Sequence, residues 1–356
     1  MRTNSLMLRE IREQPQALAR TLTSAQSVVQ ELKKRFATRR PRLIILVARG
    51  TSDNAALFGR YLLEVSTGIP VSLAAPSILT VYRSKLDLKD TLVVGISQSG
   101  ESTDTNYVLE WAAKAGAATL GITNRARSSL AKIPDHLLLV KAGPERSVAA
   151  TKTYTGQMLA LYLLAHALGA RIRMRDLERL PELAAKALET EPEVAERAER
   201  YRFMRYGVVV GRGLNYANAF ELALKLMETC YVVAERFSSA DFLHGPIALV
   251  EPSFPVFLYA SPGPVWRSLK EILDRLEALQ AELLVFTDRG HREAYAARRR
   301  AIVVPEAVPV CPGMPEDLLT PIPYIIPGQL LAAYLAREKG LNPDRPRSLQ
   351  KVTLTL

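Results

Sequence analysis

The sequence predicts an α/β fold made of two doubly wound domains, each with a five-stranded parallel β-sheet covered by helices. Short apolar segments alternate with amphipathic helical segments, which is typical of parallel sheets buried on both faces. The alternation occurs twice along the chain, and several apolar segments end at a corner of glycine and small polar residues. At 356 residues the chain also exceeds the usual size of one domain.

An internal repeat supports the two-domain prediction. LIILVARGTSDNAALFGRYLLE (43–64) and YGVVVGRGLNYANAFELALKLME (206–228) share an apolar strand, an Arg-Gly corner and a helix. Their corner glycines, Gly50 and Gly213, stand 163 positions apart.

Two further matches follow in the same order. TLVVGISQSG (91–100) pairs with FPVFLYASPG (254–263) at the same spacing, and GITNR (121–125) pairs with VFTDR (285–289) one residue later. Three collinear matches indicate a duplicated domain.

The predicted elements define five segments. In the first copy we expect strands near 43–48, 70–74, 92–97, 117–122 and 137–140. The predicted organisation is an amino-terminal helical segment (1–36), a first domain (37–173), a charged linker helix (174–204), a second domain (205–341) and a nonhelical tail (342–356).

Composition narrows the class of protein. The formal net charge is +11, but the basic residues are dispersed and no aromatic residues lie within their densest runs, so we expect no nucleic-acid partner. The positive charge does favour the binding of small anions. The two cysteines, Cys230 and Cys311, fit a reducing compartment. Four scattered histidines show no metal-ligand spacing, and we expect no metal and no cofactor. No apolar run is long enough to span a membrane, which predicts a cytoplasmic protein with no membrane partner.

Three corners of the first copy are rich in hydroxyl groups. They are Gly50-Thr51-Ser52, the stretch ISQSGES (96–102), and Ala149 to Thr153 at the start of a helix. Ligands of open parallel sheets bind beyond the carboxyl ends of the strands, where helix N–H groups point outward. These corners therefore predict a phosphate held by hydroxyl and backbone donors rather than by arginine.

Other interpretations of these corners are weaker. A phosphate-binding Walker loop needs Gly-Lys after its glycine-rich run, but Gly100 is followed by Glu101. A dinucleotide fingerprint needs a third glycine that GRGLNY (211–216) lacks. A single serine commonly just caps a helix, but several hydroxyls at three corners favour a ligand.

The second copy has lost these serines, because ISQSGES aligns with YASPGPV (259–265). It carries Lys225, Glu228 and His244 instead. A lone Glu on a mostly apolar helix is commonly a surface or paired residue, and a lone His before Gly-Pro is commonly structural. Beside a phosphate site, however, a carboxylate and an imidazole are what a proton transfer between adjacent sugar carbons requires.

At these motifs the sequence resembles the sugar isomerase (SIS) domain family, most closely the isomerase half of glutamine-dependent glucosamine-6-phosphate synthases. Seven collinear stretches carry the resemblance along the chain: EIREQP (10–15), ARGTSDNAA, ISQSGESTDT, ERSVAATKTYTGQ, GRGLNYANAFELALKLMETCYVVAE, FLHGPIAL and DRPRSLQKVTLTL.

The resemblance implies two SIS domains in a homodimeric enzyme acting on hexose or hexosamine 6-phosphates. The substrate and phosphate ligands it implies are Thr51, Ser52, Ser97, Gln98, Ser99, Ser102, Val148 and Ala150. It implies Glu228, near Lys225, as the base that moves a proton between C1 and C2. His244 would open the sugar ring from the other subunit, and Lys351 would meet the open-chain carbonyl.

Departures from that family bear on the activity. The chain begins Met1-Arg2-Thr3 without the cysteine nucleophile of a glutaminase half, so we expect no ammonia from glutamine. Ala150 stands where the synthases have serine, Met227 and Leu243 where they have lysine, and Gln350 where they have alanine. Ser102 replaces a threonine and keeps the hydroxyl.

The leading expectation is an aminosugar-phosphate isomerase and deaminase that converts glucosamine 6-phosphate or a relative into fructose 6-phosphate and ammonia. Alternatives with the same site are a fructosamine-6-phosphate deglycase and ammonia-dependent glucosamine-6-phosphate synthesis. A different class, a sugar-phosphate sensor without catalysis, also stays open. Residues 1–40 are too few and too uniformly amphipathic for the DNA-binding module that such regulators carry.

Overall fold

The computed structural model describes residues 5–296 and 300–351. The chain divides into two compact units. The first, called here the β1–β5 unit, contains residues 16–145 and 152–178 together with the described end of the tail, 350–351. The second, the β6–β10 unit, contains the described residues of 5–15, 146–151 and 179–349.

Each unit contains one five-stranded sheet. The strands are β1 (Leu43–Val47), β2 (Val71–Leu73), β3 (Thr91–Ser97), β4 (Ala118–Thr123), β5 (His136–Leu139), β6 (Tyr206–Gly211), β7 (Val233–Ser238), β8 (Pro255–Tyr259), β9 (Glu282–Asp288) and β10 (Ala301–Val304). In the first sheet the order is β2-β1-β3-β4-β5, and every pair is parallel. The second sheet has the equivalent order, β7-β6-β8-β9-β10, again with every pair parallel. The predicted fold class and the duplication are confirmed.

The helices complete each unit. They are α1 (Leu6–Arg12), α2 (Gln14–Thr38), α3 (Thr51–Thr67), α4 (Ser77–Thr80), α5 (Thr103–Lys114), α6 (Lys152–Ala167), α7 (Met174–Leu177), α8 (Leu180–Leu188), α9 (Glu191–Ala198), α10 (Tyr216–Cys230), α11 (Ser239–Leu243), α12 (Trp266–Ala278) and α13 (Pro321–Glu338). Short 3₁₀ turns occur at Leu130–Lys132, Glu199–Tyr201, Gly213–Asn215, Pro246–Leu249, Gly263–Val265 and Arg292–Tyr295. No helix in the described ranges is both long and apolar enough to cross a membrane.

The sheet interiors explain the apolar strands. All seven residues of β3 are buried, because strands lie on both sides of it and helices cover the sheet faces. In the β6–β10 unit, α12 packs Leu269, Ile272, Leu273 and Leu276 into a core cluster with the inward residues of β6, β8 and β9. The spacing of these four residues is that of one helix face.

The predicted single linker helix over 174–204 is wrong. The structure breaks this segment into α7, α8, α9 and a 3₁₀ turn. Pro181 and Pro192 lie in the first turns of α8 and α9. Proline lacks an N–H and clashes with the preceding turn, so it starts a helix more readily than it continues one.

Candidate active site

The β1–β5 unit offers a crevice where the strand order changes direction. The chain leaves β1 toward β2 on one side, and leaves β3 toward β4 on the other. The carboxyl ends of β1 and β3 therefore lie side by side, with the starts of α3 and α5 beyond them. Ligands of doubly wound sheets bind at such a switch point. Six of the predicted ligands, Thr51, Ser52, Ser97, Gln98, Ser99 and Ser102, lie at these two ends.

Ser52 is held by a residue that the sequence did not single out. Its hydroxyl is buried and accepts a hydrogen bond from Gln157 Nε2 at 2.9 Å. The Oε1 atom of Gln157 is buried without a hydrogen-bond partner. Gly50, which precedes Thr51, has a positive φ of 57° that favours glycine. The tight turn at Gly50 brings Thr51 and Ser52 into the first turn of α3.

The β3–α5 corner folds around its own serines. Ser97 Oγ accepts from the Gly100 N–H at 3.1 Å, and Ser99 Oγ accepts from the Glu101 N–H at 3.2 Å. The Gln98 carbonyl accepts from the Asn124 N–H at 3.3 Å, which ties the corner to the end of β4. Each serine hydroxyl in these contacts acts as an acceptor, so its own proton remains available for a ligand.

Ser102 occupies the N-cap position of α5, but its side chain makes no capping hydrogen bond. It accepts instead from the Thr105 hydroxyl at 3.1 Å. Simple capping therefore does not account for Ser102. The first N–H groups of an α-helix have no acceptor within the helix, so the start of α5 favours an anion.

Ser128 and Ser129 explain why Gly100 and Glu101 follow Ser99. Gly100 has φ of 70°, and a Cβ at this position would lie 2.1 Å from the Ser128 hydroxyl. The Glu101 carboxylate accepts from the Ser129 N–H at 3.1 Å and from its hydroxyl at 2.7 Å. Glu101 stands at the position where a Walker loop has its lysine, and here its carboxylate holds the loop that follows β4.

Arg49 is a further residue that the corner motifs did not predict. Its Nε donates to Asp104 Oδ2 at 3.0 Å, joining the end of β1 to the first turn of α5. Asp104 is buried, whereas half of the Arg49 side chain is exposed. The only sequence signal was the Arg-Gly pair, which recurs as Arg212-Gly213.

Lys351 is also in the β1–β5 unit. Its Nζ lies 3.3 Å from Glu145 Oε2, and the Glu145 side chain is fully buried. Glu145 is fixed by the N–H of Thr153 at 3.2 Å and by its hydroxyl at 2.5 Å. Residues 352–356, the rest of the predicted active-site tail, lie outside the described part of the chain.

In the β6–β10 unit, α10 carries three ionisable residues along one face. Lys225 Nζ lies 2.6 Å from Glu228 Oε2 and 3.4 Å from Glu221 Oε1. Lys225 and Glu221 are buried, whereas 23% of the Glu228 side chain is exposed. Burial lowers the pKa of Lys225, but the Glu221 and Glu228 carboxylates outweigh it and raise that pKa overall. Lys225 is therefore an ammonium group in direct contact with the Glu228 carboxyl group.

The remaining predicted residues of this unit lie on its loops. His244 follows α11, has an exposed side chain, and donates its backbone N–H to the Asp241 carbonyl at 3.2 Å. Val148 and Ala150 are half-buried in the 146–151 segment. Within residues 5–296 and 300–351, no group of three or more His, Cys, Asp or Glu side chains is placed to hold a metal ion.

Comparison with known proteins gives the family. A family model described as the SIS domain matches residues 39–167 and again 207–319, one match for each sheet. The chain belongs to the SIS domain family. The duplicated SIS architecture agrees with the family that the motifs resemble.

The SIS chain is similar to longer curated proteins. It is 36% identical over 345 residues to the glutamine–fructose-6-phosphate aminotransferase (isomerizing) of Methanothermobacter thermautotrophicus, a match that covers 97% of this chain and 56% of that protein. The SIS chain thus spans little more than half the length of this relative.

Two solved structures show the same fold as this SIS chain. The C-terminal domain of glucosamine-fructose-6-phosphate aminotransferase from Francisella tularensis superposes with a TM-score of 0.85 at 28% identity, covering 96% of this chain and 98% of that one. Glucosamine-6-phosphate deaminase from Thermotoga maritima gives a TM-score of 0.72 at 22% identity, covering 95% and 100%. At that lower identity the likeness concerns the fold alone.

Proposed function

We propose that this SIS protein is an aminosugar-phosphate isomerase and deaminase acting on a hexosamine 6-phosphate such as glucosamine 6-phosphate. The reaction takes up one water and yields fructose 6-phosphate and ammonia. The relative from Methanothermobacter thermautotrophicus is named for chemistry on fructose 6-phosphate, which supports this substrate class. The protein is proposed to work in the cytoplasm as a homodimer.

The observation that carries the proposal is the Lys225–Glu228 pair. A base that moves a proton between C1 and C2 must be ionised and within reach of the substrate. Glu228 is partly exposed, and the ammonium nitrogen of Lys225 lies 2.6 Å from its Oε2. A fully buried lysine is costly unless carboxylates compensate it, and Glu221 supplies the second one. A sugar-phosphate sensor has no need of this arrangement.

The β3–α5 corner is proposed to bind the 6-phosphate. Ser97, Ser99 and Ser102 each have a hydroxyl proton to donate, and the first N–H groups of α5 add backbone donors. Donors of both kinds hold a phosphate dianion without a dedicated arginine.

Lys351 is proposed to react with the open-chain carbonyl. Its ammonium group must first lose a proton, and Glu145 Oε2 at 3.3 Å is an acceptor within reach. The free amine then forms a C–N bond to the carbonyl carbon, and loss of water gives an imine that hydrolysis later reverses. His244, exposed on its loop, is proposed to open the sugar ring in the partner's site.

Steady-state assays of the purified protein test the proposal. Ammonia and ketose phosphate are measured with glucosamine 6-phosphate and, in parallel, with an N-substituted fructosamine 6-phosphate. We expect ammonia from the first substrate, and we expect Glu228→Gln to lower kcat by about 10²- to 10⁴-fold. Glu271→Gln, an exposed carboxylate on α12, is the matched control and should keep full activity.

Each other outcome replaces the proposal with a specific alternative. Amine release from the second substrate alone makes the protein a deglycase. Product only in the reverse direction, from fructose 6-phosphate and ammonia, makes it a synthase. Binding of fructose 6-phosphate without turnover in any assay makes it a sensor.

A further inference from the structure

The EIREQP motif (10–15) has no role in the proposed chemistry, yet two of its polar residues are buried. Glu10, in α1, is 1% exposed, and Gln14, the first residue of α2, is fully buried. Burying polar groups is unfavourable unless each finds a partner. The partners of these two side chains therefore indicate what the motif does.

Glu10 holds the beginning of the 146–151 segment, in the same unit. Its Oε1 accepts from the Arg146 N–H at 2.5 Å, and its Oε2 accepts from the Ser147 N–H at 3.1 Å. One carboxylate thus binds two consecutive backbone N–H groups. Hydrogen bonds to a charged acceptor are stronger than those to a neutral one, so this contact restrains the backbone directly before Val148.

Gln14 acts on the other end of the segment through one intermediate. Its Nε2 donates to Gln329 Oε1 at 2.9 Å and to the Ile11 carbonyl at 3.0 Å. Gln329, on α13, donates in turn to the Thr151 carbonyl at 3.3 Å. The EIREQP motif therefore holds 146–151 at both ends, with Val148 and Ala150 between the two attachments.

The amino end of α1 has a separate attachment. The N–H groups of Leu6 and Met7 donate to the two carboxylate oxygens of Asp344, each at 2.8 Å. Asp344 belongs to the tail and stands seven positions before Lys351 in the chain. A negative charge is favoured at the start of a helix, which stabilises this contact further.

We propose that α1 is a positioning element for sugar-phosphate binding. Glu10 and Gln14 fix the 146–151 segment, which carries the proposed ligands Val148 and Ala150, and Asp344 fixes the base of the tail that carries Lys351. The inference rests on the proposed function for the ligand class. It adds a role for EIREQP: loss of Glu10 weakens ligand binding, whereas loss of the Asp344 contact slows turnover.

The test compares the wild type with Glu10→Gln and Glu10→Asp. The matched control is Glu13→Gln, because Glu13 belongs to the same motif but makes an exposed ion pair with Arg9. Hydrogen exchange followed by mass spectrometry reports on the amides of Arg146 and Ser147. The Kd for fructose 6-phosphate is measured by calorimetry, so the readout does not depend on turnover.

In Glu10→Gln an amide N–H₂ replaces one acceptor oxygen and faces a backbone donor. We expect the two amides to exchange about 10- to 100-fold faster, and the Kd and KM to rise about tenfold with kcat within about threefold. Glu10→Asp, which keeps the carboxylate, should recover part of the affinity. Asp344→Asn should lower kcat by about tenfold with little change in KM, because Lys351 is displaced.

Two outcomes overturn the inference. Unchanged exchange at Arg146 and Ser147 in Glu10→Gln rules out the restraint, and faster exchange with an unchanged Kd makes Glu10 a structural residue only. Failure of the proposed function looks different: the wild type binds fructose 6-phosphate and turns over neither substrate, while the effect of Glu10 on Kd persists.

Discussion

The two copies of the duplicated domain keep the same backbone at the corner after their third strand but different chemistry. In the β3–α5 corner, Gly100 has φ of 70°, and in the β8–α12 corner Gly263 has φ of 82°. The first corner presents serine hydroxyls. The second presents Pro262 and Pro264, which have no N–H to donate, and its Ser261 hydroxyl is buried without a partner.

The helices that follow the first strand of each sheet, α3 and α10, differ the other way round: here the second copy carries the polar residues. At the 163-residue spacing, Glu221, Lys225 and Glu228 of α10 correspond to Phe58, Leu62 and Val65 of α3. Phe58 and Leu62 are fully buried, as are Glu221 and Lys225. Apolar residues fill these positions in α3, so we expect α10 to fold without its charged residues as well. On the proposed function, duplication followed by specialisation gave one copy the residues that bind phosphate and the other the residues that transfer the proton.

The largest effect is expected when α10 is made to resemble α3. Lys225→Leu leaves Glu221 buried without its ammonium partner and should lower the free energy of unfolding by about 3 to 5 kcal/mol. The double variant Glu221→Leu/Lys225→Leu removes both charges and should restore most of that stability while activity stays low. Denaturant unfolding of the two variants measures the difference. A double variant as unstable as the single one would contradict the comparison.

A smaller effect is expected at the phosphate corner. Ser99→Ala removes a hydroxyl that we assign to ground-state phosphate binding, so KM should rise by about 10- to 100-fold with kcat little changed. Ser77→Ala, at an exposed position in α4, is the control and should leave KM unchanged. Collapse of kcat at constant KM would contradict the phosphate assignment.

A third effect concerns the pH dependence of stability at the second corner. Asp317 is buried beside Gly263, and a Cβ added to this glycine would lie 3.6 Å from the Asp317 backbone nitrogen. Burial raises the pKa of Asp317 to about 6 from an ordinary value of 3.8. The folded protein keeps this proton while the unfolded chain has lost it, so the stability contribution is present below pH 4 and is lost as the pH rises to about 6.

Asp317→Asn mimics the protonated acid and should remove this dependence. Relative to wild type, the variant should gain at most about 3 kcal/mol between pH 4 and pH 7. Unfolding by urea at several pH values measures the gain, with the exposed Asp274→Asn of α12 as control. Parallel stability curves for wild type and Asp317→Asn would show that Asp317 ionises normally.

Much of the fold was predictable because its signals are local. The five predicted strands of the first copy agree with the structure to within one residue at each end. The β3–α5 corner was equally predictable, since its serines and Gly100 form hydrogen bonds within a few residues of one another. The break in the linker also had a local signal, Pro181 and Pro192, which the overall charged pattern obscured.

Contacts between distant parts of the chain were decided only by the tertiary structure. Gln157 reaches Ser52 across 105 positions, Lys351 reaches Glu145 across 206, and the Arg146 N–H reaches Glu10 across 136. Local propensities and apolar periodicity carry no information about such pairs, because side chains far apart in sequence meet only after the strands are ordered and the helices packed. The sequence by itself determined the family, the duplicated sheets and the candidate residues. Only the folded chain determined which buried partner contacts each candidate residue, and hence the charges around that residue and its position.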